Sequence, residues 1–502
     1  MHLYRKRFVK LGEEGLSKIK GGTQKMGEDN KTTAVKTETK NKPLPKIFRY
    51  IWGIAEAGEG ATMGGGIYQT FFITDIAKLP LPLFSIYTML TSILDFVISP
   101  LTGILIDGTK PMKWGKLRSW LLIMPPIVVV ASLFKYSSFS NSTVTLAVLV
   151  AAFAIYATAF NTMNIANYSL IPAMTNDEDE RASLASNRIA GNAIGRMIFG
   201  FVTPLAIIPL TNAFGGAGYT INIGVITALL AIFYFIHFGL SKGYEGRGSA
   251  ASKKRTTFKD MFRAVIANPQ LIAVMFADMT STLGTFMLPS LLVYMYRYVI
   301  ADGTAEPMLA VHNLIVGFAS LVGAWLSKYL MRKIEDRRKI CTKIYLLVAL
   351  LCFCTRFTVQ SPYMFIAVNF LMMAVAGMTQ PMESTFYFDC ATYAQWKTGG
   401  ENPTALFLGL ATISIKMTSI VRGLVITIVF NLVNYSPDLP AEALPALRAG
   451  FTNAYSLVNC VIPILGFIAI TFFYKLSPDV IKKCKAEIAA RGQSIPEYKD
   501  ED

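Results

Sequence analysis

Hydrophobic residues dominate the chain from about residue 46 to residue 475, in runs long enough to cross a bilayer. A helix rises about 1.5 Å per residue, so about 20 apolar residues cross a hydrocarbon core about 30 Å thick. The runs predict twelve spans, at 46–77, 82–107, 118–139, 144–174, 183–210, 218–241, 269–299, 307–331, 340–359, 362–395, 404–434 and 451–475. Because each run is continuously apolar, the pattern predicts helices and excludes a membrane β-barrel, whose strands alternate over about ten residues.

Lysine and arginine residues lie mainly on one side of this predicted topology. The span ends are approximate, and basic residues near them are counted with the adjoining loop or tail. On this count the side that carries both tails holds 39 of the 48 basic residues, the other side holds five, and four lie deep within spans. Cytoplasmic loops of membrane proteins are enriched in these residues. We therefore expect a multi-pass protein of the cell membrane with both termini in the cytoplasm. The topology also accounts for the net charge of +16, so no nucleic-acid partner is expected.

Polar segments divide the chain into five parts. Residues 1–45 predict a disordered, basic cytoplasmic tail, and residues 476–502 predict a second cytoplasmic tail. Residues 242–268 predict a central cytoplasmic loop between a six-helix half at 46–241 and another at 269–475. Two such halves with a substrate site at the midplane are the architecture of alternating-access carriers. The expected fold is an all-α membrane protein with twelve transmembrane helices in two halves.

Composition and spacing exclude several other classes of protein. The chain is 53% apolar and 16% charged, whereas soluble domains carry about 25% charged residues. The six cysteines and three histidines lack the spacing of a metal site, and we expect the cysteines to be reduced. The glycine clusters at 64–66 and 214–217 follow no predicted strand and lack the Lys-Ser/Thr ending of a phosphate loop. We therefore expect no metal, no cofactor and no enzymatic activity.

Several short motifs resemble those of one transporter family. The stretch DFVISPLTGILIDGTKPMKWGKLRSWLL at 95–122 resembles the end of that family's second helix and the following loop. DCATYAQWKTG at 389–399 is similar to its Asp-Tyr-Gly-Glu-Trp-Lys-Thr-Gly, and GIAEAGEG at 53–60 and NIANYSLIPAMT at 164–175 match in the same order. The family is the glycoside-pentoside-hexuronide:cation symporters, to which melibiose permease belongs, within the major facilitator superfamily. The resemblance implies the major facilitator fold and cation-coupled import of a glycoside, pentoside or hexuronide.

The resemblance also implies a sugar-binding site built on charged residues within the spans. A charge inside a membrane-spanning helix costs at least about 2.5 to 3.5 kcal/mol, so such residues usually face the bundle interior. Glu59 matches the family's helix-one acid, which accepts hydrogen bonds from sugar hydroxyls, and Glu56 fits a second alignment. Arg188 corresponds to a family arginine that helps to hold the sugar. For each of the three, an ion pair between helices is the alternative interpretation.

Four more polar residues are candidates for substrate binding. Tyr168 occupies the family's aromatic position in helix four, and the resemblance implies a cavity position for Lys416. Asn164 stands where the family has an aspartate, and Gln380 supplies an amide suited to sugar hydroxyls. Polar contacts between helices are the alternative for each. Arg196 has no family counterpart, and we expect it to be structural.

Asp95 is the candidate for cation coupling, because a carboxylate inside a helix binds sodium through oxygen or takes up a proton. The family pattern has a second aspartate four residues later and another in helix four, where this chain has Ser99 and Asn164. Sodium prefers several oxygens with negative charge among them, and Ser99 and Asn164 supply only neutral oxygens. The sequence therefore favours proton coupling, or uncoupled facilitation, over sodium.

The loop after the second span resembles the major facilitator signature. Asp107 with Lys116 and Arg118 predicts a charge network that stabilises the outward-facing state, and the alternative is simple positive-inside charge. The resemblance implies a cytoplasmic-side gate role for Lys397, and a scaffold role is its alternative.

Two other functions remain open from the sequence. A lysophospholipid or other amphiphile carrier of the same fold would need an apolar central cavity open to lipid, which the charged residues within the spans disfavour. A non-transporting sensor usually carries an added signalling domain, whereas both tails here are short. We expect a small-molecule sugar and the lipid bilayer as partners, and a monomer as the functional unit.

Overall fold

The computed structural model describes residues 44–247, 258–300, 305–400, 402–436, 438 and 441–493. The predicted tail at 1–45 lies almost entirely outside the described residues, as do part of the predicted central loop and the end of the C-terminal tail. The described chain is almost entirely helical and contains no β-strand. Within it, ten helices are long and apolar enough to cross a membrane.

The N-terminal half contains six helical segments along the predicted spans. They are α1 (Ile54–Gly65), α2 (Leu81–Gly108), α3 (Arg118–Phe134), α4 (Ser142–Met174), α5 (Glu178–Phe214) and α6 (Ala217–Leu240). α1 continues beyond Gly65 through a 3₁₀ turn and a short helix into a π turn at Phe72–Ile76. α3 is a shorter apolar helix of 17 residues.

The C-terminal half has a matching set of six segments. They are α7 (Pro269–Tyr294), α8 (Ala305–Lys333), α9 (Arg337–Cys354), α10 (Pro362–Ala376 and Thr379–Thr398), α11 (Thr404–Leu432) and α12 (Leu444–Asn453 and Asn459–Ile468). α7 ends in a π turn at Met295–Val299, and α12 contains π turns at Ala454–Val458 and Ala469–Phe473. Helices Phe258–Ala267 and Pro478–Ala490 precede and follow this half. The two sets are consistent with twelve spans.

Local chemistry sets where several of these helices begin. The Asn141 side chain accepts hydrogen bonds from two backbone N–H groups in the first turn of α4, and Asp177 accepts one at the start of α5. Pro269 and Pro362 are the first residues of α7 and α10, where a helix has no partner for a backbone N–H. The apolar runs between these starts then continue as helix across the predicted spans.

Glycines bring α1 and α5 into direct backbone contact. A Cβ atom at Gly195 would lie 1.9 Å from the carbonyl oxygen of Ala57, and one at Gly60 would lie 2.0 Å from the carbonyl oxygen of Asn192. No side chain fits at either position. The close approach places Glu56 of α1 against Arg188 of α5.

The two halves contact each other at mid-depth of the bundle. We call the side at which α1 begins and α12 ends the terminal side, and the other the opposite side. The Asn313 amide of α8 donates to the carbonyl oxygen of Gly200 in α5 at 2.9 Å. The Ser92 hydroxyl of α2 donates to the carbonyl oxygen of Ser419 in α11 at 3.2 Å. The α5–α8 and α2–α11 contacts thus flank the space between the halves.

A half-buried carboxylate joins the halves on the opposite side. Asp75, in the π turn after α1, accepts hydrogen bonds from the hydroxyls of Tyr298 and Tyr435, each at 2.5 Å. The neighbouring Thr74 is hydrogen-bonded to the Tyr294 hydroxyl at 2.7 Å. We call these five residues the opposite-side latch. They connect α1 to α7 and to the loop after α11, and they close this side of the bundle.

Candidate functional site

A cavity of about 610 Å³ lies between the two halves. Residues from both halves line it, including α1, α2, α4 and α5 on one side and α7, α8 and α11 on the other. Its wall combines aromatic rings, such as Tyr87 and Tyr156, with amides, such as Gln69 and Asn161. Rings cover the apolar faces of a sugar, and amides exchange hydrogen bonds with its hydroxyls. The lining therefore suits a small polar molecule.

Asp95 of α2 and Lys416 of α11 line this cavity and form an ion pair between the halves. The Lys416 ammonium lies 3.0 and 2.9 Å from the two carboxylate oxygens of Asp95. The side chains are 20% and 28% exposed, so the pair borders the cavity. One cation thus occupies both oxygens of the carboxylate predicted to couple transport.

Five predicted substrate-binding residues come together in a second group, which we call the terminal-side cluster. The Asn164 amide donates to Glu59 at 2.5 Å, and the Arg188 guanidinium lies 2.6 Å from a Glu56 oxygen. The same guanidinium lies 4.7 Å from the centre of the Tyr168 ring. The next turn of α1 lines the cavity, so the cluster lies about one helical turn towards the terminal side.

Both carboxylates of the terminal-side cluster are buried and have further partners. The Tyr234 hydroxyl donates to Glu59, and the Asn167 amide donates to Glu56 at 2.8 Å. Each glutamate is only 3% exposed. In this state both acids therefore hold α1 to its neighbours, Glu56 through an ion pair with Arg188 and Glu59 through hydrogen bonds from neutral groups. Their role in sugar binding stays a prediction.

Three other predicted residues lie apart from both groups. Ser99 is absent from the cavity-lining residues that the structure describes, and its backbone carbonyl accepts a hydrogen bond from Thr102 at 2.7 Å. Gln380 and Lys397 are exposed on the second part of α10. Their predicted roles in coupling, binding and gating stay predictions.

The predicted gating residues after α2 make their described contacts inside the N-terminal half. The Lys116 ammonium donates to the carbonyl oxygen of Asp107 at 2.8 Å. The Arg118 guanidinium donates to the Ser241 hydroxyl at 3.0 Å and to the carbonyl oxygen of Phe238 at 2.5 Å. These bonds tie the start of α3 to the ends of α2 and α6. A gating role for the network stays a prediction.

Three basic residues that the sequence analysis did not assign to a site also line the cavity. They are Lys135 of the loop after α3, Arg196 of α5 and Arg422 of α11. The Lys135 ammonium lies 3.8 Å from the centre of the Tyr156 ring, in a cation–π contact. The signal for the two arginines was their position inside apolar spans, which alone did not distinguish a cavity position from an ion pair between helices.

Two helical halves that meet around a central cavity with charged and polar groups in its wall define a membrane transporter of the alternating-access type. The chain belongs to the MFS/sugar transport protein family, whose model matches residues 53–478. The expected major facilitator fold and the family resemblance are confirmed, and so is the expectation of a multi-pass membrane transporter, while the described helices are consistent with the predicted twelve spans. A solved structure of a mutant of the nucleoside transporter NupG has a similar fold. Its TM-score is 0.63 with 13% sequence identity, covering 86% of this chain and 100% of that chain.

Several relatives match most of the chain, and their names describe different kinds of transporter. An uncharacterized symporter YjmB of Bacillus subtilis strain 168 is 26% identical over 458 residues, which is 89% of this chain and 95% of that one. A putative 2,3-dihydroxypropane-1-sulfonate exporter of Salmonella typhimurium is 23% identical over 467 residues, which is 90% of this chain and 97% of that one. An isoprimeverose transporter of Lactiplantibacillus pentosus is 23% identical over 433 residues, which is 82% of this chain and 86% of that one.

Proposed function

We propose that this chain is a secondary active transporter that imports a glycoside, pentoside or hexuronide together with protons. The Asp95–Lys416 pair carries the proposal. Asp95 is the one carboxylate among the described cavity-lining residues, and its partner belongs to the other half. A change in the charge of Asp95 therefore acts directly on the contact between the halves. The sugar family and the aromatic and amide lining of the cavity support the substrate class.

The distribution of basic residues supports a cytoplasmic location of both termini. In that orientation the terminal side faces the cytoplasm and the opposite-side latch faces outwards. The carrier described here is then closed to the outside by the contacts of Asp75 and Thr74 with the C-terminal half. Alternating access requires that these contacts break when the cavity opens to the outside.

Protonation of Asp95 is the proposed coupling step. A neutral carboxyl group attracts Lys416 much less than a carboxylate does, so a proton weakens the contact between α2 and α11. Sodium would have to displace the Lys416 ammonium from both carboxylate oxygens. Ser99 and Asn164, where the family has aspartates, offer it no negative charge. The proposal therefore includes protons as the coupling ion, no other cofactor, and a monomer as the functional unit.

The proposed direction of transport is import. Import is implied by the resemblance to glycoside symporters, whereas the name of one relative describes an exporter. An amphiphile carrier is disfavoured because four cationic side chains line the cavity. The transport assay therefore measures uptake and efflux of polar sugars.

The test is transport of labelled glycosides, pentosides and glucuronides by proteoliposomes that contain the full chain. Accumulation of a sugar that a protonophore abolishes and sodium does not affect is expected. Asp95→Asn should abolish accumulation but keep exchange of sugar across the membrane, while Asp438→Asn, in an exposed loop, should behave as the unmodified protein. Accumulation that survives Asp95→Asn, or that requires sodium, overturns the coupling proposal. Transport of no sugar in either direction overturns the substrate class.

A further inference from the structure

The cavity has more positive than negative charge. Its described lining contains the cationic side chains Lys135, Arg196, Lys416 and Arg422, and one carboxylate, Asp95. Asp95 is bound by Lys416 through both of its oxygens. The other three cations therefore have no carboxylate partner in this lining, and the cavity carries an excess of three positive charges.

Arg196 and Arg422 occupy equivalent positions in the two halves. Each lies on the fifth helical segment of its half, α5 or α11, and each is the nineteenth residue from the start of that segment. Both segments begin on the terminal side. At about 1.5 Å per residue, the two Cα atoms lie about 27 Å along their helices from the starts. The repeat thus places one arginine of each half at an equivalent position along its helix, and both arginines line the same cavity.

Neither arginine has a carboxylate of its own as a partner, because Asp95 attracts Arg422 only at longer range and both of its oxygens are held by Lys416. No hydrogen bond or ion pair of the Arg196 or Arg422 side chain is found in the part of the chain that the structure describes. The nearest aromatic contact is between Arg422 and the Phe286 ring, whose centre lies 5.9 Å from the guanidinium carbon. Arg188 differs, because it is paired with Glu56 outside the cavity lining. An unpaired cation at mid-depth of a membrane protein is costly, and it marks a place where a ligand supplies the missing charge.

We propose that Arg196 and Arg422 together bind an anionic group of the substrate, a carboxylate or a sulfonate on a sugar. This inference rests on the proposed function and narrows its substrate class. A guanidinium presents paired N–H donors that match the oxygens of such a group in two parallel hydrogen bonds. Since one arginine belongs to each half, the bound anion draws the halves together around itself. The rings and amides of the cavity then hold the rest of the sugar.

The test compares charged and neutral sugars with the purified full chain. Binding of labelled methyl glucuronide, a 6-sulfonated hexose and methyl glucoside is measured by equilibrium dialysis for the unmodified protein and for R196Q and R422Q. R356Q is the matched control, because Arg356 is exposed at the end of α9 and its replacement changes the net charge equally. R196K and R422K keep the charge and alter only the donor geometry.

A charge-assisted hydrogen bond contributes about 1.5 to 3 kcal/mol, so each glutamine variant should lose about tenfold or more in affinity for both anionic sugars. The lysine variants should recover part of this loss, and R356Q should lose none. Affinity for methyl glucoside should stay within about twofold throughout, which also shows that the variants are folded.

Two results overturn the inference. One is that the anionic sugars bind the glutamine variants with the same affinity as they bind the unmodified protein, and the other is that the neutral sugar loses affinity equally. Binding of neutral sugars alone overturns the inference but leaves the proposed function standing, whereas binding and transport of no sugar overturn the proposed function itself.

Discussion

The Lys416 ammonium lies within 3.0 Å of both carboxylate oxygens of Asp95, across the boundary between the two halves. The pair borders the cavity, so water screens it and its net contribution to stability is smaller than that of a fully buried pair. Removal of one partner nevertheless leaves the other charge in the cavity wall without compensation. The single and double variants of this pair therefore differ in a predictable way.

Lys416→Gln and Asp95→Asn should each lower the thermal unfolding temperature. The double variant should lose less stability than the sum of the two single losses. In the double variant both charges are absent, so neither is left unpaired, and the double-mutant cycle should give a coupling of about 1 kcal/mol. The measurement is thermal unfolding of the purified proteins in one detergent. Strictly additive effects would show that the ion pair adds nothing to the stability of this state.

Arg188→Ala tests whether the terminal-side cluster is scaffold or site. The change leaves Glu56 buried without its cation, and loss of one partner of a buried pair costs about 3 kcal/mol or more. Arg188→Ala combined with Glu56→Gln removes both charges and should regain most of the thermal stability. Sugar uptake by the double variant should remain absent if Arg188 holds the sugar as predicted. Recovery of uptake together with stability would assign Arg188 to the scaffold.

Asp75→Asn should weaken the opposite-side latch. The amide accepts weaker hydrogen bonds from Tyr298 and Tyr435, and loss of about 1.5 kcal/mol raises the population open on that side about tenfold. In the proposed orientation, a cysteine introduced as Gln69→Cys in the cavity should then react faster with a membrane-impermeant maleimide added outside cells.

Asp438→Asn is the matched control for the latch variant. Asp438 pairs with Lys78 at 2.5 Å, but the two side chains are 68% and 57% exposed, and exposed pairs contribute little. The labelling rate of Gln69→Cys should therefore be unchanged by Asp438→Asn. An equal increase in both variants would mean that general negative charge on this side, and not the contacts of Asp75, keeps the cavity closed.

Gly195→Ala should prevent the close packing of α1 against α5. The added methyl group would lie 1.9 Å from the Ala57 carbonyl oxygen, so the helices must separate, and we expect a loss of at least about 3 kcal/mol or failure to fold. Gly103→Ala in α2 is the control, because nothing lies within 4 Å of its Cβ position. Yield and thermal unfolding of the two variants should differ strongly, and similar behaviour would contradict the packing argument.

The fold was largely predictable from the sequence, because long apolar runs and the excess of basic residues on one side both follow from membrane physics. The pairing of Asp95 with Lys416 was not, since they lie 321 residues apart and nothing local specifies which helices meet. The resemblance pointed to Glu59 and Arg188, which the structure places in the terminal-side cluster. It could not show that this group lies beside the cavity lining and not within it.

The cavity charges show a second limit of sequence reasoning. Arg196 was expected to be structural because no family residue matches it, and Lys135 was not assigned to a site. Both line the cavity. The equivalent positions of Arg196 and Arg422 in the two halves could be read from the residue numbers. They indicate a shared site only because the structure shows that both residues line the same cavity.

The π turns that follow α1 and α7 contain Asp75 and Tyr298, two partners in the opposite-side latch. A π turn accommodates one more residue than an α turn, through i→i+5 hydrogen bonds. If either turn changes to α geometry, the register of the backbone shifts by one residue and a side chain rotates by about 100° around the helix axis. That rotation alone separates the Tyr298 hydroxyl from the Asp75 carboxylate. The opposite-side latch can thus be released by a local twist of one backbone segment, before either half of the carrier moves as a rigid body.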